Sequence, residues 1–560
     1  MNIKNEFLEH CKKMIKGHAN PELLETPPNN ISDLALPCFS LSKKFKKNPV
    51  EIAAHLAEKL NKIKKPALVR EIKAVGPYVN FYIDNEKFSQ LAVKEILRQK
   101  SCYGSGRKKR EKIMVEFSHP NTHKAFHIGH VRNISLGESI CRILEFNGHK
   151  VFRTNYQGDI GPHVAKCIWG YMNLELKEPE GDMAEKGKWL GVIYADASKK
   201  SMENLEIAEQ IADINKKIYS ADKKIIAIWK KTRSWSLHYF DKIYGDFGTK
   251  FDKLYFESQT AKPGIKIVKS LLKTKKAKMS EGAVIAELGE KLGNFVILKS
   301  DKTPLYSTKD LGLVQMEFKD FKPDRILHVV ADEQDLYFRQ LFELFKLINK
   351  SWFEKSMHLS YGLVILKGGK MSSREGDVIL YDDLLEKLYF KALEMATEKN
   401  QSNTKETARE IALAAIKYAM LKIDSHKTIT FDWEEALSIE GDTGPYLQYT
   451  HARANSILHK ASPKKNKVKR KPPALEDKEI LLIKKLSDFP SIVEKSCKET
   501  KPNILANYLH ELAALFNEFY QTTRVIGSDN EKFRLDLVLA FKTALANGLN
   551  LLGITPLDKI

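Results

Sequence analysis

Apolar residues along this chain change period several times, and each change marks an element. Near the start, Asn48-Pro49-Val50-Glu51-Ile52-Ala53-Ala54-His55-Leu56-Ala57 has helical spacing with proline in the first turn, where its missing N–H costs nothing. Gly76-Pro77 then reads as a turn into Tyr78–Ile83, whose alternation fits a strand. Residues 1–85 therefore form a small α/β unit. A basic run, Gly104-Ser105-Gly106-Arg107-Lys108-Lys109-Arg110, reads as a linker.

Ile113-Met114-Val115-Glu116-Phe117 has the continuous apolar character of a buried strand. A loop with Pro120 follows, then an amphipathic helix from about Val131 to Phe146 closed by Asn147-Gly148, then a second strand, Val151–Tyr156. Strand, helix and strand in so short a stretch make a βαβ unit of a parallel sheet. From about 172 to 285 the pattern is long, charged and helical, as in Leu205-Glu206-Ile207-Ala208-Glu209-Gln210-Ile211, and reads as an insertion. Phe295–Leu298 and Arg325–Val330 look like the second half of the sheet. Beyond about 380 nearly everything is helical, interrupted by a basic, proline-flanked loop at 462–473.

Composition narrows the function class. The 560 residues carry 92 Lys and Arg against 71 acids, a formal charge of +21. An excess of this size fits a polyanionic partner, nucleic acid or an anionic membrane surface. Six scattered cysteines with no C-x-x-C encode neither a zinc site nor a disulfide framework, so reduced cytosolic thiols and a cytoplasmic location are expected. The first residues lead to no apolar signal core, and no run approaches a membrane span.

Two short words carry the chemistry. His127-Ile128-Gly129-His130 lies between a strand and a helix. A helix N-terminus offers free N–H groups and a positive dipole end to phosphate, glycine lets a nucleotide approach the backbone, and both histidines can donate to phosphate oxygens. Lys370-Met371-Ser372-Ser373 is bracketed by glycines and by Lys367 and Arg374. Such a loop can close on a leaving pyrophosphate and neutralise its charge.

The pair resembles the signatures of class I aminoacyl-tRNA synthetases, and the surroundings resemble the arginyl-tRNA synthetases. The stretch Val115-Glu116-Phe117-Ser118-His119-Pro120-Asn121-Thr122-His123-Lys124-Ala125-Phe126-His127-Ile128-Gly129-His130 is similar to that family's E-F-S-x-P-N, lysine and histidine word in order. Thr303–Asp310, Asp332–Tyr337 and Gly444–Arg453 match further motifs, so the resemblance spans nearly the whole chain. Departures are Lys302 where glycine is usual, Lys309 where arginine is usual, and His119 at a position usually small.

The resemblance implies an N-terminal α/β tRNA-contacting domain (1–85) and a linker (86–112). A Rossmann-like parallel-sheet catalytic domain (113–380) with a helical insertion (about 172–285) follows. Last come a helical connective region (381–440) and an all-helical anticodon-binding domain (441–560). It implies that Glu116, Asn121, Tyr306, Asp310 and Gln334 bind arginine. The first and fourth would accept the guanidinium fork and the amides would hold the α-amino and carboxylate end. His127, Gly129, His130, Lys370, Met371, Ser372 and Ser373 would bind ATP, with His127, His130, Lys370 and Lys124 catalytic. Tyr446, Tyr449, Arg453, Tyr520 and Arg524, with Phe519, would meet the anticodon, and the basic segment 464–471 would meet phosphate. ATP with Mg2+, no structural zinc, no editing domain, tRNA(Arg) and a monomeric state are the remaining expectations. As in the family, the first step is expected to need tRNA. The rivals are a synthetase for methionine, cysteine or lysine, a small-molecule adenylate- or cytidylyl-forming enzyme using H-x-G-H, and a non-catalytic RNA-binding relative.

Overall fold

The computed structural model describes residues 3–27, 32–367, 379–397, 404–461 and 475–560. The N-terminal unit holds a three-stranded antiparallel sheet, β1 (Leu34–Pro37), β2 (Val69–Val75) and β3 (Tyr78–Ile83), in the order β1-β3-β2. The helix Pro49–Asn61 packs on it, started by Asn48, whose side chain accepts from the Val50 N–H at 2.9 Å.

A five-stranded parallel sheet forms the centre. Its strands are β4 (Lys112–Glu116), β5 (Lys150–Gln157) and β6 (Lys253–Phe256), joined further along the chain by β10 (Arg325–Ala331) and β11 (Ser356–Tyr361). The order is β11-β10-β4-β5-β6, and every pairing is parallel. The chain leaves β4 to one side through β5 and returns on the other through β10, which opens a crevice at the carboxyl ends of β4 and β10. The helix Ile128–Phe146 connects β4 to β5 and is buried along most of its length. One flank lies so close to the sheet that a Cβ on Gly137 would come within 2.3 Å of the Phe117 ring. Helices Thr404–Leu421, Asp477–Glu499, Pro502–Thr522 and Glu531–Leu551 cover its other side. They also meet the N-terminal unit, through Lys4–Asp488 and Lys484–Asp33, each at 2.5 Å.

Two expectations need correction. Phe295–Leu298 is not part of the parallel sheet. It belongs to β9 (Asn294–Leu298), which with β7 (Lys278–Ser280) and β8 (Ala283–Glu287) makes a separate antiparallel sheet. Its burial alternates, with Phe295 and Ile297 inside and Val296 outside, the mark of a sheet covered on one face. The stretch 172–285 is also not helical throughout. Helices run to Phe247, and Lys253–Phe256 then becomes the edge strand of the main sheet. Four residues are too few for a periodic signal. A last short pair, β12 (Val364–Leu366) and β13 (Ile429–Phe431), ties the catalytic region to the helical third.

Lys370, Met371, Ser372 and Ser373 lie outside the described residues, as does the basic segment 464–471.

Candidate active site

Glu116, Asn121, Tyr306, Asp310 and Gln334 line one cavity of about 480 Å³ at the carboxyl ends of the parallel strands. Each arrives by a different local route. Glu116 is the last residue of β4 and pairs in register with His328 of β10. Asn121 sits in the loop after β4, which is stitched to the loop after β5 by Thr122 N–H to Gly158 O at 2.9 Å. Tyr306 opens the helix Tyr306–Phe321, and Asp310 follows one turn on, so both face the same side. Gln334 lies in the turn after β10.

The loop before the histidine word is held in a costly shape. Ser118, His119 and His123 have φ of 80°, 47° and 67°, a left-handed conformation worth roughly 1–2 kcal/mol of strain per L-residue. Asn133 clamps its start. The Asn133 Oδ1 accepts from Ser118 N–H at 2.6 Å, while its amide donates to Val329 O at 2.8 Å and Tyr361 OH at 3.0 Å. Ring nitrogens of His123 meet Thr122 and Thr232 Oγ1 at 2.9 and 2.8 Å, fixing the loop to the insertion helix Lys223–Phe247.

The cavity also contains Tyr156, Glu257, Glu317, His328 and Tyr337. Four carboxylates therefore meet there, and Lys309 pairs with Glu257. Burial pushes Glu116 up, but His328 at 3.4 Å and His119 at 3.7 Å outweigh it and hold the carboxyl below its ordinary range. Asp310 behaves in the opposite way. Burial raises it to about 7 against a 2.5 Å hydrogen bond from Tyr337, with Glu116 and Glu257 adding to the rise. Burial also raises Glu257, against the pull of Lys309. A site with this much clustered negative charge is relieved by a cation, and a planar fork of N–H donors suits two separated carboxylates best.

The histidine word builds its own helix cap. His127 Nδ1 accepts from Gly129 N–H at 3.1 Å, and His130 Nδ1 accepts from His127 N–H at 3.2 Å. With both Nδ1 atoms used as acceptors, the neutral rings carry their protons on Nε2 and can donate outward. Burial, with Lys124 adding, lowers His127 to about 4. Burial, then His127, His119 and Lys124, holds His130 well below the ordinary imidazole range. The rings lie 3.8 Å apart, and a Cβ on Gly129 would stand 3.0 Å from the His127 ring, so any larger residue would crowd the imidazole that caps the helix. Lys124 Nζ rests 4.9 Å over the Tyr194 ring. The chain re-enters beside this cap after the lysine-serine word. Ile128 N–H donates to Ile379 O at 3.0 Å, and Tyr381 N–H to Phe126 O at 2.8 Å.

A second cavity, of about 830 Å³, lies in the helical third and is lined by Tyr449, Arg453, Tyr520 and Arg524. The Arg453 guanidinium sits 4.9 Å over Tyr449 and 5.7 Å over Tyr520, anchored on Asn517 Oδ1 at 2.6 Å. Tyr446 does not line this cavity, because its hydroxyl accepts from Asn517 behind the wall. Phe519 is a core residue, fully buried with Phe516, and is not available to a base.

Sequence reasoning passed over Glu257, Glu317 and His328. His328 had a signal, a polar residue inside an apolar strand, and Glu317 had another, its place two turns after Asp310 on a helix face otherwise apolar. Glu257 had none, since the short β6 that delivers it is itself unreadable. Lys302 keeps φ at 65°, so the turn before Tyr306 is made without the glycine usual in the resembled family.

Three family models match the chain end to end. "Arginyl tRNA synthetase N terminal domain" matches residues 1–83, "tRNA synthetases class I (R), catalytic domain" matches 92–433, and "DALR anticodon binding domain" matches 447–560. An arginine–tRNA ligase of Treponema denticola is 37% identical over 98% of this chain and 95% of its own. One of Clostridium perfringens is 33% identical over 99% of this chain and its own full length. Among solved structures, Thermus thermophilus arginyl-tRNA synthetase superposes with a TM-score of 0.78 at 26% identity, covering both chains fully.

Proposed function

We propose, from the premise that this chain belongs to the arginyl-tRNA synthetase family, that the cavity at the ends of β4 and β10 selects arginine and presents it to ATP. The chain is a class I arginine–tRNA ligase, using ATP to join arginine to tRNA(Arg). Glu116 and Asp310 take the guanidinium from two sides, with Tyr306 at the mouth. Asn121 and Gln334 hold the α-amino and carboxylate end. The arginine carboxylate attacks the α-phosphorus of ATP, the bond to the bridging oxygen breaks, and pyrophosphate leaves with both its electrons. Arginyl-adenylate results, and a hydroxyl of the terminal adenosine then displaces AMP. No protein nucleophile is needed, because alignment and charge stabilisation carry the rate.

His127 and His130 donate from Nε2 to the phosphates, Gly129 keeps the approach open, and Lys124 shares the developing charge with Lys370. Met371, Ser372 and Ser373 complete the ATP contacts. Mg2+ enters on the phosphates of its substrate ATP. In the helical third, Tyr449, Tyr520, Arg453 and Arg524 receive anticodon bases by stacking and edge hydrogen bonds. The segment 464–471 neutralises backbone phosphates, and residues 1–85 add a further tRNA contact. The enzyme acts as a monomer in the cytoplasm, a reading that rests on the family resemblance and on six free cysteines.

The observation that carries this reading is the convergence of Glu116 and Asp310, from separate strands and helices, on one cavity rich in acids. The test is pyrophosphate exchange into ATP with each amino acid, with and without tRNA(Arg). Exchange with arginine that depends on tRNA is expected. Equal exchange with lysine or methionine overturns the substrate assignment.

A further inference from the structure

Two acids of the cavity, Glu257 and Glu317, have no part in arginine recognition so far, and of these Glu257 is already paired with Lys309. Glu317 lies seven residues after Asp310 on the helix Tyr306–Phe321, hence on the same face, two turns deeper. Leu313 and Val314 between them line the same wall. Its exposure is 0%, and neither carboxyl oxygen has a hydrogen-bond partner among the described residues. Leaving a carboxylate in that state costs several kcal/mol. Glu116, its neighbour on β4, is 3% exposed and likewise shows one oxygen, Oε2, with no donor in hydrogen-bonding geometry.

Two adjacent buried carboxyls cannot both ionise, so they share a proton, and the surroundings decide where it sits. Glu116 has His328 and His119 beside it. Glu317 faces acids and phenols instead, Asp310 and Asp320 on its own helix and Tyr255 on β6. Tyr255 OH is itself committed to Asp320 at 3.0 Å. The proton therefore rests on Glu317. A protonated carboxyl is a donor, and Glu116, which lines the same cavity, is the acceptor that would pair its Oε2 with one of the two Glu317 oxygens.

We propose that Glu317 is a positioning residue for amino-acid recognition: as a neutral carboxylic acid it donates a hydrogen bond to Glu116 and holds that carboxylate, ionised and turned to the cavity, for the guanidinium. This rests on the assignment of arginine to the cavity. It makes the floor of the pocket a proton donor, so that bound arginine meets the charges of Glu116 and Asp310 without a third full charge beneath them. The neutral floor lowers repulsion in the empty cavity and pre-sets the direction of the Glu116 oxygens.

Exchange kinetics separate this role from its rivals. Glu317→Gln keeps a neutral donor, and its KM for arginine is expected within threefold of the parent. Glu317→Leu removes the donor and raises that KM at least tenfold, with kcat changed less than threefold in both variants. Equal impairment of Gln and Leu overturns the proposal, since it marks an ionised third acceptor. Parent-like behaviour of both overturns it too. Should the Leu variant fail to fold, calorimetric titration of parent and Glu317→Gln with arginine, in two buffers of different ionisation enthalpy, counts released protons. Equal counts support a proton that stays on Glu317, and one fewer from the Gln variant refutes it. A parent that exchanges with no arginine dependence at all would instead strike the assignment of arginine itself.

Discussion

Asp310→Asn tests the pocket where its two halves can be told apart. Asparagine keeps the volume and can still accept from Tyr337 OH, now 2.5 Å from Asp310 Oδ2, so the wall stays intact. What disappears is one anion facing a desolvated guanidinium. Losing one partner of a buried ion pair costs about 3–5 kcal/mol. Against this, Asp310, raised to about 7 in the empty cavity, must be ionised when arginine enters, which at pH 7.5 costs only about 0.2 kcal/mol. The loss in kcat/KM for arginine is therefore about 100- to 3500-fold, at 1.36 kcal/mol per tenfold. The assay is exchange at varied arginine and saturating ATP and tRNA. The parent should also gain kcat/KM as pH rises through about 7, because only ionised Asp310 accepts from a cation, and the variant should lack that inflection. The sign for stability is opposite. With a folded value above its ordinary 3.8, Asp310 holds a proton between about 4 and 7 that the unfolded chain releases, so its contribution falls as pH climbs through that window. Arginine should accordingly raise Tm more at pH 8 than at pH 6. A fivefold or smaller loss in kcat/KM, with the inflection intact, removes Asp310 from recognition.

Three other outcomes follow from the geometry. His130→Ala, which deletes both a phosphate donor and the acceptor for His127 N–H, should lower kcat about 10²–10³-fold with little change in the KM for arginine, and a large arginine KM effect would move the histidine word away from ATP. Arg453→Ala, which empties the space between Tyr449 and Tyr520, should raise the KM for tRNA about tenfold or more and leave tRNA-saturated kcat near the parent value, a result checked by aminoacylation at varied tRNA. Lys302→Gly should stabilise by about 0.5–1 kcal/mol in chemical denaturation, since the left-handed turn no longer carries a Cβ; a destabilised variant would mean that the Lys302 side chain is itself in use.

Periodicity exposed the long elements of this fold, and motif order exposed the chemistry. The helix after the histidine word was readable from about Val131 to its Asn147-Gly148 stop, although its first turn, Ile128–His130, read as the end of the loop, and β4 was readable because Ile113, Met114, Val115 and Phe117 make an apolar run around Glu116. β6 was not readable, since its four residues fit inside one helical turn's worth of pattern, and β9 looked like a buried parallel strand because a short apolar run has no direction. In the cavity, Glu116 stood out as an acid on an apolar strand and Asp310 through the family motif Thr303–Asp310, whereas Glu257 reaches the same space only through tertiary packing of β6 against β5. The opposing shifts of Glu116 and Asp310 depend on which imidazoles and acids meet across strands, and spacing along one chain does not encode that. In the helical third, Tyr449 and Phe519 look alike in sequence, and only the packing of Phe516 and Phe519 separates a wall residue from a core one.

The seam between Phe126–Ile128 and Ile379–Tyr381 has a mechanical consequence. Two backbone hydrogen bonds, Ile128 N–H to Ile379 O and Tyr381 N–H to Phe126 O, tie the N-terminus of the helix Ile128–Phe146 to the residues that enter the helix Tyr381–Thr397. A displacement of that helix therefore pulls on the Ile128 amide through paired backbone. Cargo gripped by the far helices thus has a mechanical path to the proposed phosphate site.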